Sequence, residues 1–281
     1  MSKTFSNLMI TAAISAALAL GAAAQDHIVV PLSHPSQPAM LKVGFVNGSI
    51  TVHAYEGKDI VIDTSNDGSS SRRHERERQP SEDVAGMHKL TTAPGISAEE
   101  DNNVVTIRSS MFNGGDANIT VQVPVHTSLN LHTVNGGSIQ VQGVDGDINV
   151  DNTNGSVTLD HVAGSVVAHA LNGRVMATIT RLDATKPSSF SSLNGNLDIT
   201  LPADAKANVR MKSDNGDIFV DDGFNFQVTR GNVGGTDQGQ RDSNGMYRVK
   251  IDRNISGTLN GGGPDLRIEN FNGNIYLRKA H

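Results

Sequence analysis

The chain has 281 residues, with 23 lysines and arginines against 29 aspartates and glutamates, and a formal net charge of −6. This balance excludes the strongly basic face with which proteins bind nucleic acids or anionic membrane surfaces. There is no cysteine, which excludes disulfides and thiol catalysis. Aromatic residues are only 4% with no tryptophan, which argues against a flat aromatic platform for sugars.

The first 24 residues, 1–24, match a signal peptide. Lys3 supplies the positive end, residues 8–20 form the apolar run, and Ala22-Ala23-Ala24 gives the small-residue cleavage pattern. The apolar run is shorter than the roughly 20 residues that a spanning helix needs. We therefore expect an exported protein whose mature chain begins near Gln25 and works in the periplasm or at the cell surface. A retained N-terminal anchor is the alternative.

Short strands are predicted in the first half of the mature chain. Asn47-Gly48 precedes a pair of alternating apolar residues, and further strands are predicted over 60–62, 104–107 and 119–123. Between them, residues 65–83 are polar, mixed in charge and free of aliphatic side chains. This composition predicts a solvated loop.

An Asn-Gly pair then recurs at intervals of 19, 18, 22 and 21 residues. These pairs are the predicted structural corners: Asn135 and Gly136, Asn154 and Gly155, Asn172 and Gly173, Asn194 and Gly195, Asn215 and Gly216. Asparagine and glycine suit corners at which the backbone visits positive φ. An apolar-x-apolar triplet begins every nine residues between 139 and 177, which is the signal of half-buried strands.

The period indicates a unit that buries its apolar face only by stacking on its neighbours. Asp145-Gly146 and Ala163-Gly164 alternate with the Asn-Gly corners, which indicates a coil of about 18 residues with two strands. Stacked coils would place Ile139, Val157 and Val175 in one interior column. The sequence therefore predicts an all-β solenoid with stacked two-strand coils of about 18–22 residues. An antiparallel meander is the alternative, because Asn-Gly between apolar runs is also a strong hairpin signal.

The pattern becomes less regular towards the C-terminus. Alternation over 197–201, 218–220 and 275–277 predicts further strands, and the glycine-rich run 229–245 predicts a loop. Irregular terminal strands are expected, because they cap the exposed ends of the stack. We expect a single β-solenoid domain over 25–281. Two copies of the chain could also associate through an open end of the solenoid.

Several stretches resemble the bacterial DUF4097 family, whose members are also called "putative adhesin" or β-strand repeat proteins. The stretches are ANITVQVPVHTSLNLHTVNGGSIQV, DGDINVDNTNGSVTLDHVAGSVVAHALNGRV, LNGNLDITLP and DNGDIFV. The resemblance covers roughly 40–281 and implies a right-handed β-solenoid or a closely similar stacked sheet, without a known catalytic centre. It also implies a periplasmic or surface binding role, since some relatives belong to envelope-stress systems, but it carries over no functional residue.

Outward acids are the candidate catalytic residues, because β-solenoid polysaccharide hydrolases and lyases use acids that project from neighbouring coils. Asp147, Asp151 and Asp160 are the candidates, and a pair at the right separation would act as acid and base on a glycosidic bond. The simpler interpretation is that aspartate beside glycine is corner chemistry. Outward acids also keep a β surface soluble.

Metal sites have weaker support. The nonapeptide calcium repeat needs several glycines and aspartates together, whereas here Asp145 and Asp147 stand nearly alone. The histidines fall into two loose pairs, His126 with His132 and His161 with His169. Neither pair has ligand spacing, although the second is expected to share one exposed face of adjacent strands. We predict no metal and no cofactor.

We therefore expect a non-enzymatic, exported β-solenoid that acts as a cell-envelope interaction or adhesin-like scaffold, with a link to envelope stress. Its partner would be an unknown envelope protein or surface ligand, and no nucleic acid. Binding is expected on the flat sheet faces around Gln140, Gln142, Asn149 and Thr158, or at the early charged loop. The alternative is a polysaccharide-active β-helix enzyme that uses the outward carboxylates.

Overall fold

The computed structural model describes residues 26–65, 96–109, 118–230, 240–241, 247–248 and 254–280. The predicted signal peptide lies outside the described residues, as do the greater parts of the predicted loops 65–83 and 229–245. Within the described ranges, no helix has the length and apolar character to cross a membrane.

Every regular element of the described residues is a β-strand. In chain order the strands are β1 (Asp26–Pro31), β2 (Ala39–Asn47), β3 (Ile50–Tyr55), β4 (Asp59–Ser65), β5 (Ile96–Asp101), β6 (Val104–Ser109), β7 (Asn118–Pro124), β8 (Thr127–Asn135), β9 (Ile139–Gln142), β10 (Ile148–Asn154), β11 (Val157–Gly164), β12 (Val166–Asn172), β13 (Val175–Leu182), β14 (Ser188–Asn194), β15 (Leu197–Leu201), β16 (Ala207–Asn215), β17 (Ile218–Val220), β18 (Phe226–Arg230), β19 (Gln240–Arg241), β20 (Tyr247–Arg248), β21 (Asn254–Leu259), β22 (Asp265–Asn272) and β23 (Ile275–Lys279).

Two large sheets contain all of these strands except β19 and β20, which pair with each other. Sheet 1 has ten strands in the order β1-β4-β7-β3-β9-β11-β13-β15-β23-β17. Sheet 2 has eleven in the order β18-β21-β16-β22-β14-β12-β10-β8-β2-β6-β5. Each coil contributes one strand to sheet 2 and the next to sheet 1, as β10 and β11 do.

The pairing within the stack is parallel, so the predicted β-solenoid is confirmed and the antiparallel meander is wrong. β10 pairs in parallel with β8 and β12, and β11 pairs in parallel with β9 and β13. Among the described strands of the two large sheets, antiparallel pairs occur only towards the sheet ends, where β1, β4, β5, β18 and β21 lie. These are the irregular terminal strands that the sequence predicts.

The interior columns follow the predicted register. Val157 pairs with Ile139 on one side and Val175 on the other, and all three side chains are fully buried. Ile148 pairs with Val166 in the facing sheet. Each buried aliphatic side chain contributes about 1.5–3 kcal/mol of transfer free energy, and the columns form one continuous core between the sheets.

The stacking order departs from the chain order at both ends. The coil of β2 and β3 lies between the level of β6 and β7 and the level of β8 and β9. Likewise, the last coil, β22 and β23, lies between β14 and β15 on one side and β16 and β17 on the other. The local pattern of a coil predicts its own strands but does not tell which coils will flank it.

The corner glycines are required by close approach of neighbouring coils more than by positive φ. A Cβ on Gly155 would lie 2.0 Å from the Gly137 carbonyl oxygen, and one on Gly173 would lie 2.0 Å from the Gly155 oxygen. Gly195 and Gly216 show the same approach. Among the five predicted corner glycines only Gly136 has a positive φ, +75°, and it lies over open space. This corner therefore contains one additional residue, Gly136, and it is Gly137 that packs against the corner glycines of the neighbouring coils.

The corner asparagines form a ladder along the stack. Each Nδ2 donates to the Oδ1 of the preceding asparagine at 2.7 to 3.3 Å, in the order Asn135, Asn154, Asn172, Asn194, Asn272, Asn215. Asn272 enters the ladder because the last coil is inserted there. The ladder ties successive coils together at one edge, as amide ladders do in other stacked β arrays.

A second, buried polar column lies two residues before each corner asparagine. Its members donate to corner glycine carbonyls of the neighbouring coil: Thr133 to Gly48, Asn152 to Gly137, Ser192 to Gly173, Asn270 to Gly195, and Ser213 to Gly273. Ala170 occupies the same column, fully buried, and has no side-chain donor to offer Gly155.

This column gives a paired stability prediction. We expect Ser192→Ala to lower the free energy of unfolding by about 1–2 kcal/mol, because it leaves the Gly173 carbonyl without its donor. Ala170→Ser should raise it by about 0.5–1 kcal/mol, since it adds the missing donor. Urea unfolding followed by circular dichroism measures both. A loss in Ala170→Ser as large as that in Ser192→Ala would contradict the assignment.

Candidate binding surface

The outer face of sheet 1 carries one continuous row of register partners. In stack order the row is Thr51, Gln140, Thr158, Met176, Asp198, Tyr276 and Phe219. Side chains alternate between the two faces of a strand, so these positions project away from the core. The row is polar over its first half and ends in two aromatic rings beside a carboxylate.

The aromatic end of the row is a packed group of five side chains, called here the aromatic cluster: Asp198, Phe219, Asn274, Tyr276 and Arg278. The Phe219 and Tyr276 rings are stacked, with centroids 5.2 Å apart and planes 9° from parallel. The Arg278 guanidinium carbon lies 5.2 Å from the Tyr276 ring centroid, and its Nε donates to Asp198 Oδ1 at 2.7 Å. Asn274 Nδ2 donates to the Tyr276 hydroxyl at 2.9 Å.

The electrostatics of the cluster hold its charges in place. The hydrogen bond and the negative charge of Asp198 raise the pKa of Arg278 above its ordinary value, so the guanidinium stays charged. Its position over the Tyr276 ring adds a cation–π contact. Phe219 is 49% exposed. The cluster therefore offers an open apolar surface beside a fixed cation, a fixed anion and an amide.

Sequence reasoning misses this cluster because its members come from separate parts of the chain. Phe219 and Tyr276 become neighbours only because β23 is inserted beside β17. Amino-acid composition does not tell where the few aromatic residues meet, so it did not reveal this stacked pair. The Asn-Gly before β23 is the one signal that could have placed Tyr276 in the repeating register.

The predicted binding residues do not all share one face. Gln140, Gln142 and Thr158 lie on β9 and β11 of sheet 1, and Gln142 contacts His53 Nδ1 at 3.1 Å. Asn149 lies on β10 in sheet 2, on the other side of the molecule. The early charged loop lies outside the described residues apart from Ser65. Three of the four predicted residues thus belong to the same outer face as the aromatic cluster.

The three candidate catalytic acids are not brought together. Asp151 is on β10 in sheet 2, whereas Asp160 is on β11 in sheet 1. Asp147 precedes Asp151 by four residues along a strand, which separates their Cα atoms by about 13 Å. Glycosidases hold their paired carboxyl groups about 5–9.5 Å apart. Asp147 is also ion-paired with Lys186 at 2.8 Å, and Asp160 contacts His161 at 2.8 Å.

The acids considered as calcium ligands are already paired with basic side chains, and the histidines considered as zinc ligands are not brought together. Asp145 pairs with Arg181 at 2.6 Å, so the two acids considered for calcium each face a cation. His161 is in sheet 1 and His169 in sheet 2, so the prediction that they share a face is wrong. Within the described ranges, no group of three or more histidine, aspartate or glutamate side chains is placed to hold a metal ion.

Another histidine arrangement appears instead on the outer face of sheet 2. His132, Asp151, His169 and Ser191 are register partners across four adjacent strands. His132 Nδ1 lies 3.7 Å from Asp151, and His169 Nδ1 lies 2.8 Å from the Ser191 hydroxyl. In the described part of the chain no ion pair joins Asp151 to His169. His169, the histidine that contacts the serine, therefore lacks the carboxylate partner that a nucleophilic triad requires, since Asp151 contacts His132 instead.

The two sheets and their ladders define the chain as a parallel β-solenoid protein. Residues 128–260 match the family model described as Toastrack DUF4097, the family that the sequence resembles.

Two solved structures are similar over most of the chain. A protein described as a "putative cell adhesion protein" from Clostridium sporogenes is 11% identical, with a TM-score of 0.42, over 92% of this chain and 100% of the other. A "putative adhesin" from Bacteroides fragilis is 8% identical, with a TM-score of 0.33, over 92% of this chain and 98% of the other. These values are too low to support an argument about function. No curated protein matches the chain.

Proposed function

We propose that the protein is an exported, non-enzymatic β-solenoid that serves as an interaction or adhesin-like scaffold in the cell envelope. The observation that carries this proposal is the aromatic cluster at the end of the outer row of sheet 1. Export rests on the signal-peptide pattern of 1–24, and the link to envelope stress rests on the family resemblance. Periplasmic or cell-surface location follows from export.

The chemistry of the cluster suits recognition. Stacked aromatic rings supply a large, rigid contact area at low entropy cost, and arginine over an aromatic ring is a common component of binding hot spots. Asp198 holds Arg278 in one orientation, so a ligand meets a preformed site. A ligand with an apolar face and hydrogen-bonding groups at its rim would satisfy both the exposed Phe219 ring and the polar neighbours.

The rest of the row supports the same function. Thr51, Gln140 and Thr158 continue the outer face as a flat polar strip without an intervening charge. A flat, regular surface is suited to extended ligands, because each coil repeats the same spacing of about 4.8 Å. The candidate acids, in contrast, are divided between the two sheets. Asp147 is paired with Lys186, whereas Asp151 and Asp160 each contact a histidine.

Binding to envelope material tests the proposal. The mature chain should co-sediment with a purified cell-envelope fraction of its source bacterium. The double variant Phe219→Ala with Tyr276→Ala should bind about tenfold more weakly, because it removes the stacked pair. The matched control is Val167→Ala with Phe271→Ala, two similarly exposed apolar residues on the outer face of sheet 2, which should bind as the unchanged chain does.

Two results would count against this function. Equal co-sedimentation of the aromatic double variant and the unchanged chain would remove the cluster from the binding site. Turnover of a polysaccharide that is lost in Asp147→Ala or Asp160→Ala would replace the scaffold by the enzyme. Circular dichroism melting of each variant shows whether the fold is retained.

A further inference from the structure

The two sheets end at different levels at one end of the stack. Sheet 1 ends at β17, whereas sheet 2 continues past the neighbouring β16 with two more strands, β21 and β18. In the part of the chain that the structure describes, no strand of sheet 1 faces β21 and β18. At the opposite end both sheets are extended, by β4 and β1 in sheet 1 and by β5 in sheet 2. The C-terminal end therefore has a step, called here the notch.

The notch is lined by apolar side chains that are buried elsewhere in the stack. Ile218 and Val220 of β17 are only half-buried, although their register partners Ile275 and Leu277 are 0% and 1% exposed. β21 and β18 of sheet 2 form the floor of the notch. Val228 on the inward face of β18 is 46% exposed. Ile255 and Phe226 beside it are partly buried.

Among the described strands, β17 pairs only with β23, so the backbone groups on its other edge have no ladder partner there. Ile275 N–H donates to the Asp217 oxygen, and Asp221 N–H donates to the Leu277 oxygen, both at 2.9 Å. In a parallel ladder alternate residues bond to one side. The N–H and C=O groups of Ile218 and Val220 therefore point away from β23 and into the notch.

We propose that the notch binds an extended strand of a partner protein, which adds to β17 as the next strand of sheet 1. Strand addition uses the free backbone groups for affinity and the side-chain positions for specificity. Two apolar residues of the added strand would face inward onto Val228 and Ile255. The residue between them would face outward beside the Phe219 ring, where a planar side chain fits best.

Charge defines the ends of the partner strand. Asp217 precedes β17 and Asp222 follows it, and both are exposed. Within the described ranges neither carboxylate is in an ion pair. Lysine or arginine flanking the apolar-planar-apolar triplet would complement them. The partner is thus a short, basic-flanked apolar strand.

A second copy of this chain fits the notch less well. If the β17 strands of two copies paired antiparallel, β21 and β18 of one copy would occupy the same part of the sheet 2 layer as β21 and β18 of the other copy. Parallel pairing of β17 with the β1 of a second copy would place β18 where the β5 of that copy lies, an overlap of one strand. The self-association predicted from the sequence would therefore require β18 or β5 to move.

A peptide experiment tests this proposal without envelope material, so its outcome is separate from that of the proposed function. The probe is a fluorescein-labelled peptide copying residues 272–280, because β23 is the strand that β17 already pairs with in parallel. Its apolar positions Ile275 and Leu277 face inward, its tyrosine faces outward, and arginine and lysine follow this triplet on the C-terminal side, where they would meet Asp222. Fluorescence anisotropy should show saturable binding to the mature chain.

Two variants locate the binding. Val220→Pro should weaken the peptide by at least about tenfold, because proline removes an N–H that faces the notch and is tolerated on an edge strand. Val228→Lys should weaken peptide binding by a similar factor, because it places a charge on the apolar floor of the notch while leaving the β17 backbone intact. Val167→Lys is the matched control, because it places the same charge on a similarly exposed valine on the outer face of sheet 2, and it should bind the peptide unchanged.

The remaining outcomes overturn the proposal. The first is the absence of saturable binding up to about 1 mM peptide. The second is that Val220→Pro and Val228→Lys bind the peptide as tightly as the unchanged chain does. The third is that a peptide with aspartate at the two apolar positions binds as tightly as the original peptide. Sedimentation velocity is run alongside. Concentration-dependent dimers that disappear in Val220→Pro would assign the notch to a second copy of the chain.

Discussion

Gly173→Ala is expected to lower the free energy of unfolding by at least about 3 kcal/mol, or to prevent folding. The added Cβ would lie 2.0 Å from the Gly155 carbonyl oxygen and 2.5 Å from its carbonyl carbon. Both atoms belong to the backbone of the next coil, so no side-chain rotation relieves the overlap. The two coils would have to separate, which would weaken the parallel hydrogen bonds and the asparagine ladder beside them.

Alanine substitutions at two other glycines distinguish the effect of close approach between coils from the effect of backbone strain. Gly136→Ala meets nothing within 4 Å but has φ at +75°, so it should cost about 1–2 kcal/mol. Gly44→Ala also has open space and no positive φ, so it should be neutral or stabilising by about 0.5 kcal/mol. Urea unfolding followed by circular dichroism measures the series. If Gly173→Ala costs no more than Gly136→Ala, close approach is not what selects glycine at these corners.

Phe190→Ala should cost about 3–5 kcal/mol, because it empties the largest fully buried side-chain site of the core. Phe190 lies between Ala168 of β12 and Ile268 of β22 in the register of sheet 2. Because its register partner Ala168 is small and buried, we expect the Phe190 ring to fill space in this column that Ala168 leaves open. The loss therefore includes both the transfer of the ring and a cavity between two coils.

Phe219→Ala is the matched control for this prediction, since it removes the same side chain from a site that is 49% exposed, and it should cost less than about 1 kcal/mol. Ala168→Leu should destabilise the unchanged core by about 1–3 kcal/mol through overpacking, yet recover part of the loss in the Phe190→Ala background. Thermal and urea unfolding of the four chains give the coupling free energy. Additive effects would show that the two sites do not share space.

The sequence predicted the repeating part of the fold well because its periodicity is local. The triplets at Ile139, Ile148 and Val157 each alternate within a few residues, and parallel stacking follows from corners that alternate in kind. The order of the end coils was not predictable in this way. Asn272 and Asn215 carry the same corner pattern, so nothing local tells that the coil of Asn272 lies between those of Asn194 and Asn215.

The candidate surface was predicted only in part, for the same reason. Gln140, Gln142 and Thr158 lie on one face because they sit in the regular repeat. Phe219 and Tyr276 meet only through the non-sequential order of the end coils, so their separation in sequence concealed the cluster. The acids were separated by the same geometry, since successive strands of a coil alternate between opposite sheets.

The placement of β22 and β23 has a consequence for biogenesis. β22 and β23 follow β16 and β17 in the chain but lie between them and the rest of the stack, so β16 and β17 have no neighbouring coil to pair with until β22 and β23 have been synthesised. Deleting the final coil would open a gap inside the protein instead of trimming one end. Assembly of this end is therefore expected to be slow and to wait for the synthesis of β22 and β23, because its pairings join segments about 60 to 80 residues apart.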